Sequence, residues 1–81
     1  MTVILRLHCD QLLGGRIDRE TATGMMTVAT VEQSGDGLVV HLRQDPANVG
    51  LEHLEELHAK DCNDLLKRIA RPDVTVTMPN V

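Results

Sequence analysis

Cys9, His58 and Cys62 are the side chains of this sequence best suited to chemistry. In "HLEELHAKDCNDLLKRIA", residues 53–70, His58 and Cys62 stand four positions apart. On a helix that spacing sets an imidazole over a thiol, which could hold zinc with Cys9 and either Asp10 or Asp61. The same pair could instead activate a thiol nucleophile, with the imidazole as its base. Zinc wants four ligands, and the sequence has neither a C-x2-C nor an H-x3-H pair. Neither cysteine lies in a motif that builds an oxyanion hole. The plainer reading prevails: the thiols are small buried hydrophobes and the histidine is a hydrogen-bonded core residue. No metal, no cofactor and no catalytic residue is expected.

The elements that would position these residues come from periodicity. In "TVILRLHC" (2–9), Val3, Leu5, Leu7 and Cys9 alternate with Ile4, Arg6 and His8, which predicts a strand with one face in the core. The segment 10–24 allows two readings, a hairpin turning at Gly14-Gly15 or a mobile loop. "SGDG" between two alternating runs in 25–44 predicts a β-hairpin. Setting Gln33 opposite Leu38 brings Val31 to Val40 and Ala29 to Leu42, whereas a slip of one residue would turn the wrong face inward. His41, Arg43 and Val39 then share the outer face.

A helix is predicted from a start at Asp45-Pro46 or Asn48 to about Ala70, stopped by Arg71-Pro72. Leu51, Leu54, His58, Cys62, Leu65 and Ile69 form its apolar stripe, while His53 points to solvent. Glu56–Lys60 and Asp64–Arg68 are its i,i+4 ion pairs. "DVTVTMP" (73–79) predicts a last strand, brought back beside the first. The expected fold is a single α+β domain over 1–81. It is a two-layer sandwich, one helix on a mostly antiparallel sheet of four or five strands.

Composition limits function. The chain has 81 residues, 42% hydrophobic, with no Phe, Tyr or Trp. Without rings the core rests on aliphatic side chains, so association is favoured and a homodimer is expected. The net charge of −4 and the lack of a basic run disfavour nucleic acid as a partner. The N-terminal apolar run is short and broken by Arg6, and nothing approaches a membrane span. A cytoplasmic location with two free thiols is expected.

The stretch "LHAKDCNDLLKRIARPDVTVTM" (57–78) resembles the start of the histidine phosphocarrier proteins, where a Leu-His-Ala-Arg-Pro motif opens a helix running into a Val/Thr strand. The resemblance implies phosphorylation of His58. Lys60-Asp61 stands where that family has Arg-Pro, and the predicted helix sets His58 mid-helix, away from free N–H groups. No family is assigned on this ground.

The expected function is a small non-enzymatic protein-interaction module of inhibitor or regulator type, a build found among proteins of phages and mobile elements. Ile4, Arg6, His8, Val39, His41 and Arg43, with Met26 and Val28, would form a half-apolar, half-basic outer sheet face that binds another protein. The alternative is a metal- or thiol-dependent protein using Cys9, His58 and Cys62. A third reading is an anion binder using the 14–19 segment with Arg6, His8, His41 and Arg43.

Overall fold

The computed structural model describes residues 2–43, 48 and 50–79. Six strands make one sheet: β1 (Val3–Asp10), β2 (Gly14–Thr21), β3 (Gly24–Ser34), β4 (Gly37–Leu42), β5 (His58–Ala59) and β6 (Val74–Thr77). Their order is β5-β4-β3-β2-β1-β6. All neighbours are antiparallel except β1 and β6, which run parallel. The sheet curls into a half-barrel, and the one α-helix among the described residues, the short α1 (Cys62–Ile69), packs against β1, β5 and β6.

This corrects the expected four- or five-stranded sandwich. The reason lies in residues 51–61, which are not helical beyond a single 3-10 turn at Glu52–Leu54. Glu56 takes φ 54, a left-handed conformation that ends any helical run. Leu51 and Leu54 still reach the core, each fully buried, so the apolar stripe is satisfied without the helix that was inferred from it. His58 and Ala59 then pair with Val39 and Leu38 at the edge of β4. The proposed start at Asp45-Pro46 lies outside the described residues.

Helix α1 begins at Asp61, whose carboxylate accepts from the Asp64 N–H at 2.7 Å, an N-cap that satisfies one orphan donor. Its end agrees with the sequence reading, at Ile69 before Arg71-Pro72. Lys67 and Arg68 sit in the last turn, favourable to the dipole. Asp64 and Arg68 form the expected i,i+4 pair at 2.9 Å; Glu56 and Lys60 share no helix. His53 does not project freely, because its Nε2 donates to the Ile69 carbonyl at 3.0 Å.

Hairpin register is as inferred: Gln33 faces Leu38, Val31 faces Val40 and Ala29 faces Leu42. The first strand also behaves as expected, with Leu5 and Leu7 buried and Ile4 and Arg6 exposed. The last strand returns beside it, Val3 to Val74 through Arg6 to Thr77.

Segment 10–24 is a hairpin, but its turn is Gln11–Leu13, and Gly14-Gly15 opens β2. Both glycines are pinched between neighbours. A Cβ on Gly14, which has φ +76, would strike the Val31 carbonyl, and one on Gly15 the His8 carbonyl. Only glycine admits that approach.

Further along the same strand pair, the register shifts between Ile17 and Asp18, so Ile17 faces Ala29 while Asp18 faces Thr27. Val28 is the extra residue of a β-bulge, which adds local twist to the curl. It turns Val28 inward beside Ala29, both fully buried. The Val28 carbonyl accepts from the Arg43 N–H at 2.9 Å and from Asn48 Nδ2 at 3.3 Å. Val28 therefore belongs to the core, and Met26 packs against that core from the same side. Both leave the outer face to which they were assigned.

Cys9 and Cys62 are joined in a disulfide, correcting the expectation of free thiols. It links β1 to the first residue of α1, with Cα atoms 5.9 Å apart and 53 residues of separation. The chain-entropy relation gives about 4 kcal/mol for a loop of that length. Cys9→Ala with Cys62→Ala should therefore lower stability by about 4 kcal/mol and the melting midpoint by well over about 10 °C. Thermal melts with and without reductant would check this. A midpoint indifferent to reductant would show that the bond contributes nothing.

Candidate interaction surface

Away from the bulge at Val28, outer-face side chains alternate with core residues along the strands. Arg6 lies opposite Asp18 and His8 opposite Arg16 across β1 and β2. Thr30 lies opposite His41, and Glu32 opposite Val39, across β3 and β4. Of the expected contact residues, Ile4, Arg6 and His8 form one group on β1. Val39 and His41 form a second on β4, with Arg43 just beyond. Strands β2 and β3 separate the groups, so they share a face without forming one cluster. Val39 is only 8% exposed, between strand neighbours Glu32 and His58.

The centre of this face is Asp18, nearly buried. Thr27 Oγ1 donates to its Oδ1 at 2.8 Å, and Arg16 Nε donates to Oδ2 at 3.1 Å. His8 Nε2 lies 3.2 Å from the same Oδ2. Burial alone would raise the carboxyl. The Thr27 hydroxyl, the Arg16 guanidinium and His8 outweigh it, and Asp18 is held below the usual carboxylate range. A carboxylate so occupied is a poor proton acceptor, so Asp18 ties β1, β2 and β3 together instead of acting as a base. The bulge creates this site, since it sets Thr27 directly opposite Asp18.

Farther along, His41 Nε2 lies 3.3 Å from Glu32 Oε2. With Asp18 and Glu32 present and Met26 and Val28 inside, the face carries both charge signs. The sequence reading places Arg16 only within the 14–19 anion-binding segment and assigns no site role to Asp18, Thr27 or Glu32. A hydrophobe-free reading of the outer positions on β2 would have found Arg16 and Asp18, had that strand been recognised.

The Cys9, His58 and Cys62 constellation does not assemble. The thiols are bonded to each other, and His58 lies exposed on β5. No group of three His, Cys, Asp or Glu suited to a metal occurs among the described residues. His58 does not lie mid-helix as expected. It precedes α1 by four residues, beside a groove of about 410 Å³ lined by Asp36, Lys60, Asp64 and Arg68 among others. That groove mixes both charge signs, and the helix start is already served by Asp61 and Asp64, leaving no anion cradle. Asp64 Oδ2 accepts from the Lys60 N–H at 3.0 Å. That bond, with Arg68, holds the Asp64 carboxyl below its ordinary value. Nor is 14–19 an anion-binding loop, since it is strand, with Arg16 committed to Asp18.

The feature that composition concealed is the β1–β2 turn. Leu12 and Leu13 are 75% and 85% exposed. Their N–H groups both donate to Asp10 Oδ1, at 2.8 and 3.0 Å, an Asx arrangement that fixes the turn. Gln11 grips the segment before α1: its Oε1 accepts from the Cys62 N–H at 3.2 Å, and its Nε2 donates to the Lys60 carbonyl at 3.4 Å. The disulfide starts from Cys9, the residue before Asp10. Asp10, two residues before "LL", was the signal available in the sequence.

Comparison with models of protein families, with curated proteins and with solved structures returns no match. Among the described residues, no helix is long and apolar enough to cross a membrane.

Asp18→Asn should cost about 1–3 kcal/mol at neutral pH, since Arg16 and His8 lose a charged partner in a nearly buried site. The folded-state carboxyl sits below its unfolded value of about 3.9. Its contribution is therefore complete above that value and lost as pH falls through the folded one. Urea titrations from neutral to strongly acid pH should show a shallower acid decline in the variant. Parallel declines would mean Asp18 is not held low.

Proposed function

We propose that this domain is a non-enzymatic protein-interaction module of inhibitor or regulator type. The observation that carries the reading is the Leu12-Leu13 pair. Two large aliphatic side chains on one turn are costly to leave in water, at about 1.5–3 kcal/mol each relative to burial. Here the backbone that carries them is fixed by Asp10 and tied to the start of α1 by Gln11. Exposed apolar groups on a rigid mount suit recognition, because little ordering entropy remains to be lost on binding. His8 and Arg6 run back from that turn along β1 as a polar border, with the exposed apolar Ile4 beyond them. Val39, His41 and Arg43 extend the contact in this reading only for a partner broad enough to cross β2 and β3.

A cytoplasmic setting, expected from the N-terminal stretch, would favour reduced thiols. The closed Cys9–Cys62 pair favours an oxidising compartment, and the proposal takes that setting.

Immobilised protein should enrich a binding protein from native extract of the source cells. Leu12→Asp with Leu13→Asp should lose it by at least about tenfold, as truncation of central apolar anchors does. Arg6→Glu should weaken it less. Quantitative mass spectrometry of the eluates reads the result. No protein enriched by the unsubstituted domain over the leucine variant would end this reading.

A further inference from the structure

We infer that the partner met by Leu12 and Leu13 is a second copy of this chain, the two copies hooking each other about a twofold axis. This rests on the interaction reading above and names the occupant. Strand β6 stops at Thr77, opposite Arg6, whereas β1 continues to Asp10. The uncovered length of β1 lines a groove of about 310 Å³ with Leu7, Cys9, Gly15, Met78 and Pro79. Its volume suits two leucines, since loss of one large aliphatic side chain leaves a cavity of about 150 Å³.

Knob and groove lie side by side, because Asp10 and Gly14, which bracket the Leu12-Leu13 turn, also line the groove. A projection next to a recess that fits it is what an isologous contact requires: each copy gives its knob to the other and receives one in return. Charge agrees with the pairing. Arg16 stays half exposed while its Nε holds Asp18, and it shares the groove wall with Asp10, so a twofold axis through the contact sets Asp10 of one copy toward the exposed part of Arg16 of the other. An unrelated partner needs only the knob, whereas self-association explains both features.

Sedimentation velocity from about 5 to about 500 µM should show a monomer–dimer equilibrium. Leu12→Asp with Leu13→Asp removes the knob, and Pro79→Arg blocks the groove at an exposed position. Each should raise the dissociation constant at least about tenfold, with melting curves matching the parent. Mixing the two variants should restore one of the two hooks and give a heterodimer weaker than the parent dimer. Should the leucine variant fail to fold, Pro79→Arg decides alone. A parent that stays monomeric throughout overturns the inference, as does a dimer indifferent to the variants. So does a parent that is monomeric in solution yet sediments with phosphatidylcholine–phosphatidylglycerol vesicles through its leucines. These outcomes do not depend on capture of another protein, so self-association and the interaction reading can fail separately.

Discussion

A half-barrel has an open side, and closing it is the constraint on which the rest of this structure depends. The curled sheet encloses its core on one side only, and between edge strands β5 and β6 the aliphatic interior would meet water. Helix α1 fills that gap with Leu65 and Ile69, both fully buried. A helix of eight residues has little stability of its own, so it must be fastened. The Cys9–Cys62 bond fastens its start, Gln11 grips the residues just before it, and His53 holds its end at the Ile69 carbonyl. In a core without aromatic rings, where no single burial is large, such fastenings replace packing that bulkier side chains would supply.

The bulge at Val28 is the second organising feature, and it acts on both faces at once. Inside, it adds a valine to the core. Outside, it sets Thr27 opposite Asp18 and so completes the bonding of a carboxylate that would otherwise be expensive to bury. Asn48 approaches from beyond β4 and donates to the Val28 and Arg43 carbonyls, at 3.3 and 2.7 Å. One inserted residue thus couples the curvature of the sheet to the charge pattern on its surface.

These features differ in how legible they were. The β3–β4 hairpin was readable to the residue, because "SGDG" fixes the turn and one register alone sets Val31 against Val40 and Ala29 against Leu42 on the core side. The first strand, and the last strand's return to it, followed from plain alternation. The bulge was not readable: Val28 and Ala29 both face inward, which strict alternation forbids. The long helix failed for another reason. Leucines at 51 and 54 fit a helical stripe, but they fit a 3-10 turn equally well, and the choice was made by β5 pairing with the edge of β4. That is a tertiary contact of two residues, too brief to leave a periodic trace. The disulfide was visible only as two cysteines on core-facing positions, and an assumed reducing compartment turned that observation toward free thiols. The exposed leucines were hidden by the adjacent glycines, which drew the turn two residues too far along.

Pairing of the first and last strands has a consequence for the order in which the molecule is made. Strands β1 to β4 form a meander of successive neighbours and can assemble as they emerge. The free edge of β1 must wait for β6, the last described element to be synthesised, and the open side must wait for α1 just before it. Until then a nascent four-stranded sheet presents its aliphatic interior and an unpaired β1 edge, the conditions under which strands join the wrong chain. Arg6 and His8 on β1 place polar groups along the vulnerable strand during that interval. Escape from misassembly is therefore a race between the ribosome and the neighbours of the growing chain, settled only when residues 74–77 arrive.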